Sequence, residues 1–440
     1  MRFCRLLIPL TLVFALVLAR PAIRGEEPAP SQSPTLSPSP SPAPPKAREP
    51  GAKEWQKLKQ LATAFIWAEQ GAATDKARTE LEKAGYDKVR LTKKQFSELA
   101  GVIRGGNPAS NQKNKELSLK VKTGQKAKDG TDETVTVKLS GPPKYKPGCG
   151  KSWGLVITMH GGPMPTPEEA AQTASQQFSY WNSIGGSVDC MVAAPAIDGD
   201  QWGLREWTIL SNIIVEADRL FCLDYDKVLL TGHSWGGIMT WELGPEFADR
   251  FACLAPFVCA VNPGNSHLRN LRCLPVYSVQ GSLDAEFIVT DGQKRIEMLK
   301  ALGYEYVYKE KKGGHEVYPD EVAAVAEYFS EKPRRMYAKE LVRTATHLNK
   351  SDLWYWMGSQ VHYFTARILP GNIVETDITG EFEVFLSDEM VDMDKPISIR
   401  RGSTEVWKGS VERSMSFALT HVKESGDRGR IFAASVKITN

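Results

Sequence analysis

The chain has 440 residues, too many for one ordinary domain, so a main domain with smaller additions is expected. A hydrophobic share of 42% and a charged share of 24% are those of a globular protein with a sizeable core. With 55 basic against 52 acidic residues, the net charge of +3 gives no electrostatic argument for a nucleic-acid partner.

Residues 1–19 read as an export signal. Arg2 and Arg5 precede an apolar run from Leu6 to Ala19, and Val17-Leu18-Ala19 offers a cleavage site. The run is about fourteen residues long, is interrupted by Pro9 and ends at Arg20, short of the roughly twenty a spanning helix needs. A secreted or periplasmic protein is therefore expected, touching a membrane only through this segment if it stays uncleaved. From 27 to 50 the composition is Pro, Ser and Ala, as in Ser37-Pro38-Ser39-Pro40, which predicts an extended linker without a core.

Between 53 and 110, Trp55, Leu58, Leu61, Ala62 and Phe65, then Leu81 and Ala84, recur at helical spacing. Val135 to Leu139 alternates like a half-exposed strand and leads into the region 130–335. There, apolar runs alternate with helical stretches, the pattern of a mostly parallel sheet covered on both faces and hence of an α/β fold. Strands are predicted at 155–159, 188–194, 227–231, 251–255, 274–280 and 304–309, and helices at 203–220, 238–247, 293–302 and 320–329. The stretch 365–440 holds short runs such as Ile397-Ser398-Ile399 and Val436-Lys437-Ile438, which predict a small β-rich appendage that need not carry chemistry. A chain ending near Arg335 is accordingly expected to keep its active site.

Gly232-His233-Ser234-Trp235-Gly236 follows the predicted strand 227–231 and precedes an apolar helix. This is the context of a G-x-S-x-G elbow, in which glycines permit a sharp strand-to-helix turn that lifts the serine hydroxyl clear. A serine needs a base, and the base an orienting acid. Asp284, just past the strand 274–280, ranks ahead of Asp249 and Asp291 as the acid, and His315, after Gly313-Gly314, is the candidate base. Of the other histidines, His267, His347, His362 and His421 lie in no motif. His160-Gly161-Gly162-Pro163 resembles the HGGG-type loop of esterases, which implies oxyanion donors at the amides of Gly161 or Gly162 and of Trp235. Trp202 and Trp207 are candidates for shaping the cleft or packing the core.

Leu155 to Pro163, the elbow at Ser234, Asp284 and His315 together resemble the α/β-hydrolase superfamily, more narrowly its secreted esterase and prolyl-oligopeptidase-like branch. The resemblance covers about 135–335. It implies an α/β-hydrolase fold and a serine hydrolase that cleaves carboxylic esters, small or polymeric, through an acyl-enzyme. The alternative is a serine peptidase of prolyl-oligopeptidase-like type, but the helical residues before the sheet are too few for that group's β-propeller. A binding protein that kept the fold is disfavoured because every position of the triad is filled. Around Ser387 to Pro396 the chain is similar to a β-rich appendage of some exported bacterial hydrolases. No cofactor is called for, and no spacing of Cys and His suggests a metal. Once the signal is removed, Cys149, Cys190, Cys222, Cys253, Cys259 and Cys273 remain, and an even number in an exported chain predicts at least one disulfide.

Overall fold

A computed structural model describes residues 48–199, 203–260, 266–344 and 348–439. The expected signal segment, nearly all of the linker, Trp202 and His347 lie outside these residues. Three helices come first, α1 (Ala52–Trp67), α2 (Ala72–Lys83) and α3 (Lys93–Arg104). Their apolar faces carry the helical spacing read from the sequence, with Trp55, Leu58, Ala62 and Phe65 of α1 buried.

The central sheet follows. Its strands are β1 (Glu116–Lys126), β2 (Asp132–Ser140), β3 (Trp153–Met159), β4 (Met191–Pro195), β5 (Leu223–His233), β6 (Cys253–Phe257), β7 (Val276–Gly281) and β8 (Tyr306–Lys311). Their spatial order is β1-β2-β4-β3-β5-β6-β7-β8. β2 pairs antiparallel with both β1 and β4, and from β4 to β8 every pairing is parallel. Connections run through α4 (Pro167–Val188), α5 (Leu204–Phe221), α6 (Trp235–Glu246), α7 (Glu286–Ala301) and α8 (Pro319–Ser330). This is the α/β-hydrolase fold. β3, β4, β6 and β7 are buried at every position, as unbroken apolar runs between two helical layers must be.

All six strands predicted between 155 and 309 are present, with ends displaced by a few residues. Two elements of the sheet layer go beyond that reading. β1 alternates Leu117, Leu119 and Val121 on one face, and α4 buries Ala170, Ala174, Phe178 and Trp181 from a stretch rich in Gln and Ser. In α4 the buried stripe is half alanine, so its periodicity carries little hydrophobic contrast.

The β-rich C-terminal part expected from the sequence is present, and it packs into the same buried core as the central sheet. β9 (Glu340–Arg343), β10 (Leu353–Trp354), β11 (Met357–Gly358), β12 (Phe364–Leu369), β13 (Ile373–Thr376), β14 (Phe382–Leu386), β15 (Ile397–Arg401), β16 (Thr404–Gly409) and β17 (Ala434–Ile438) build two further sheets. One has the order β16-β15-β13-β12-β9, the other β10-β11-β14-β17. One contiguous cluster of buried apolar residues runs from Trp55 through the central sheet to Ile438. The Tyr355 hydroxyl donates to the Ala248 carbonyl at 3.0 Å. The segment after α9 (Met415–Ser425) sends Asp427 against Arg334 at 2.6 Å and Arg430 against Asp249. Such buried charges tolerate water-free surroundings only while paired, so each half of the chain neutralises the other.

The disulfide expectation is corrected. All six cysteines from Cys149 to Cys273 are free thiols, and every one but Cys149 is buried. Cys253 lies within β6, and Cys190 sits just before β4, where they act as small apolar side chains. Burial pushes the Cys190 and Cys273 thiols up to about 12, far from the thiolate that exchange requires.

Candidate active site

The parallel strands bring their C-terminal ends to one edge of the sheet, and the candidate residues meet there. β5 ends at His233, and α6 starts at Trp235, leaving Ser234 alone to make the turn. Its φ of 56° and ψ of −114° lie where side chains are rarely tolerated. The turn is held by the Ser234 amide donating to the Phe257 carbonyl at 2.9 Å and by the Ile238 amide donating to the Ser234 carbonyl at 2.9 Å. Two glycines make it possible: a Cβ on Gly232 would lie 2.4 Å from the Gly236 backbone, and one on Gly236 would lie 2.3 Å from the Met159 carbonyl oxygen. The elbow glycines are thus demanded by backbone approach between β5, α6 and β3.

His315 and Asp284 arrive from the ends of β8 and β7. The Ser234 hydroxyl lies 2.7 Å from His315 Nε2, and His315 Nδ1 lies 2.7 Å from Asp284 Oδ2. A carboxylate only accepts, so Nδ1 carries the proton and Nε2 offers its lone pair to the serine. The second oxygen, Asp284 Oδ1, accepts from the Ala285 amide at 2.7 Å. The carboxylate is therefore fixed from both sides, and its side chain is only 5% exposed while that of His315 is 37% exposed. The loop bearing the histidine is tied to the acid's turn by the Leu283 amide donating to the Gly313 carbonyl at 2.8 Å. The Tyr318 hydroxyl braces it further by donating to the Gly314 carbonyl at 2.8 Å.

The two rival acids go elsewhere. Asp249 is buried against Arg430, and Asp291 lies within α7. His267 is buried near Glu242, His362 is half-buried near Asp352, and His421 packs among Phe385, Phe417 and Phe432. Trp207 stacks on Phe247 at 3.5 Å, so it packs the core instead of shaping the Ser234 cleft.

The loop after β3 lies against Ser234. A Cβ on Gly161 would stand 3.4 Å from Ser234 Cβ and 3.3 Å from His233 Nδ1. His160 is buried and holds the loop's shape: its Nδ1–H donates to the Gly161 carbonyl at 2.6 Å, and its Nε2 accepts from the Ile197 amide at 3.1 Å. Burial lowers its pKa, favouring the neutral ring that this pair of roles requires. With the Gly161 carbonyl turned to His160, the trans peptide directs the Gly162 N–H the opposite way. Trp235 supplies the first amide of α6, where the helix dipole favours negative charge.

Ser234 and His315 open onto a cleft of about 600 Å³, walled by Gly161 to Met164, by α4 through Thr173, Gln176, Gln177 and Tyr180, and by His315 to Val317. Sequence reasoning missed two members of this site. His233, the variable position of the elbow, also lines the cleft, with its ring 5.2 Å from that of His315. Burial, aided by the His315 charge, depresses its pKa to about 4. A neutral ring there adds no positive charge beside His315. The other omission is the wall formed by α4, a helix with little apolar signal.

No protein-family model matches the chain, and no curated protein matches it. Among solved structures, a thermostable esterase is similar at 20% identity and a TM-score of 0.43 over 50% of this chain; the match spans 63% of that esterase. A fluorophosphonate-binding serine hydrolase from Staphylococcus aureus is similar at 14% identity and a TM-score of 0.40, over 49% of this chain and 98% of that one. The acylaminoacyl peptidase of Pyrococcus horikoshii is similar at 16% identity and a TM-score of 0.38, over 50% of this chain and 42% of that one.

Proposed function

We propose that this protein is an exported serine hydrolase that cleaves carboxylic esters through an acyl-enzyme, with Ser234 as nucleophile, His315 as general base and Asp284 as orienting acid. The observation that carries this reading is the unbroken relay from Ser234 Oγ through the imidazole to Asp284, with both links at 2.7 Å. Ser234 Oγ attacks the acyl carbon while His315 Nε2 takes its proton, and Asp284 steadies the imidazolium that forms. The amides of Gly161 or Gly162 and of Trp235 hold the oxyanion. His315 then protonates the departing alkoxide, and water, deprotonated by the same nitrogen, releases the acid.

Export rests on the signal-like residues 1–19. The peptidase alternative gains nothing from the three helices α1 to α3, which stand where a substrate-screening propeller would be expected. Ser234→Ala tests the reading directly. Fluorophosphonate labelling disappears, and turnover of a short-chain ester falls by roughly 10⁴-fold or more. Undiminished labelling of the alanine variant would remove Ser234 from the mechanism.

A further inference from the structure

We infer that Gln177 is a specificity-determining residue of this site, and that the ester it selects carries a hydroxylated alcohol portion, as in an O-acylated sugar or polyol. The inference rests on the serine-hydrolase reading and deepens it. Thr173, Gln177 and Tyr180 lie at helical spacing on α4, so one face of this helix forms the wall of the Ser234 cleft. Their polar groups are not equally available. The Thr173 hydroxyl donates back to the Glu169 carbonyl at 2.9 Å and also lies 3.5 Å from Met164 Sδ. Gln177 is only 5% exposed, yet its carboxamide makes no hydrogen bond among the described residues. The carboxamide is not sealed away from the cleft, so a ligand that covers it must replace the hydrogen bonds it makes to water or leave it unpaired, at a cost comparable to a lost hydrogen bond.

The chemistry of the partner follows from the group. A carboxamide presents a donor pair and an acceptor side by side, which matches hydroxyls, themselves both donor and acceptor. Tyr180, 40% exposed on the same face, offers an aromatic surface for the C–H face of a sugar ring. Across the cleft, the exposed Glu316 disfavours anionic substrates and leaves a neutral polar one. A purely aliphatic alcohol portion would bury the carboxamide still unpaired, and a site built to hydrogen-bond a hydroxyl discriminates against the analogue that lacks it.

The test compares methyl 6-O-acetyl-glucopyranoside with cyclohexylmethyl acetate, which has a similar ring and no hydroxyls. The wild-type protein should favour the glucoside by roughly tenfold or more in kcat/KM. In Gln177→Leu that preference should collapse through a loss of about fivefold or more on the glucoside, mainly in KM, with the cyclohexyl ester changed less than about twofold. Wild-type rates that are equal, or that favour the cyclohexyl ester, overturn the inference without recourse to any variant. An equal loss on both esters in the variant also overturns it. Fluorophosphonate labelling of Ser234 separates the two layers: labelling with no preference sinks only the substrate class, whereas neither labelling nor hydrolysis sinks the serine-hydrolase reading with it.

Discussion

Asp427→Asn should cost more stability than any single truncation of an apolar side chain at the surface, because this carboxylate is the centre of a buried ion cluster. Its side chain is 0% exposed, as is that of Arg430, and Arg334 is 1% exposed. It accepts from Arg334 Nη1 at 2.6 Å and Nη2 at 3.0 Å, from Arg430 Nε at 3.2 Å and from Arg250 Nη1 at 3.4 Å. Burial raises its pKa, but Arg334, Arg430 and Arg250 outweigh burial and hold it well below the usual carboxylate range. With the charge removed, the carboxylates left to those three guanidinium groups among the described residues are Asp226, which Arg104 also approaches, and Asp249. Breaking a buried pair on one side costs about 3–5 kcal/mol. A single Coulomb contact at about 4 Å and an effective dielectric of about 20 is of the same order, near 4 kcal/mol. Against a typical stability of about 5–15 kcal/mol, that is about a fifth of the total or more. At about 2 °C per kcal/mol for a large domain, the melting temperature should drop by roughly 6–10 °C. Urea unfolding followed by tryptophan fluorescence, with calorimetry beside it, measures both quantities. A loss under about 1 kcal/mol with an unmoved midpoint would refute the claim that this cluster joins the C-terminal part to the hydrolase sheet. The same cluster argues that a chain ending near Arg335 is unstable or insoluble, since Arg334 and Asp249 would lose Asp427 and Arg430.

Gly161→Ala should lower kcat on a small ester by roughly 10–100-fold with little change in stability, because its methyl must displace the loop by a few tenths of an ångström from His233 and Ser234; unchanged kinetics would count against the loop as an oxyanion donor. Stability should decline between about pH 6.5 and pH 4. Burial, with a smaller push from His315 at His233 and from Arg430 at His421, depresses both pKa values to about 4, so the unfolded chain binds protons that the folded one refuses. The stability these neutral rings contribute is present above about pH 6.5 and is lost progressively below it. Urea midpoints at pH 7 and pH 5 check this, and His421→Phe should flatten the decline; identical slopes in variant and wild type would exclude His421 as a source.

Local pattern was enough to place the elbow, because strand, turn and helix are consecutive in the chain and Gly232 and Gly236 announce the turn directly. It was also enough to put Asp284 and His315 just past strand ends, and to read the buried strands as apolar runs bounded by turns. What local pattern does not carry is the identity of partners distant in sequence. Ser234 and His315 are 81 positions apart, and His315 and Asp284 31, so their meeting depends on β5, β7 and β8 lying parallel in one sheet. The same holds for Gln177, whose significance comes only from α4 lining the cleft at Ser234, and for His233, whose ring lies 5.2 Å from that of His315. The disulfide expectation failed because counting cysteines says nothing of burial inside separate strands. The short β runs of the C-terminal part were legible in the sequence, but nothing local marks Asp427, Arg428 and Arg430 as the charges that tie it to the rest of the chain. Only the tertiary structure encloses them among Asp218, Asp226, Asp249 and Arg334, where an unpaired charge would be too costly to bury and pairing across the chain becomes obligatory.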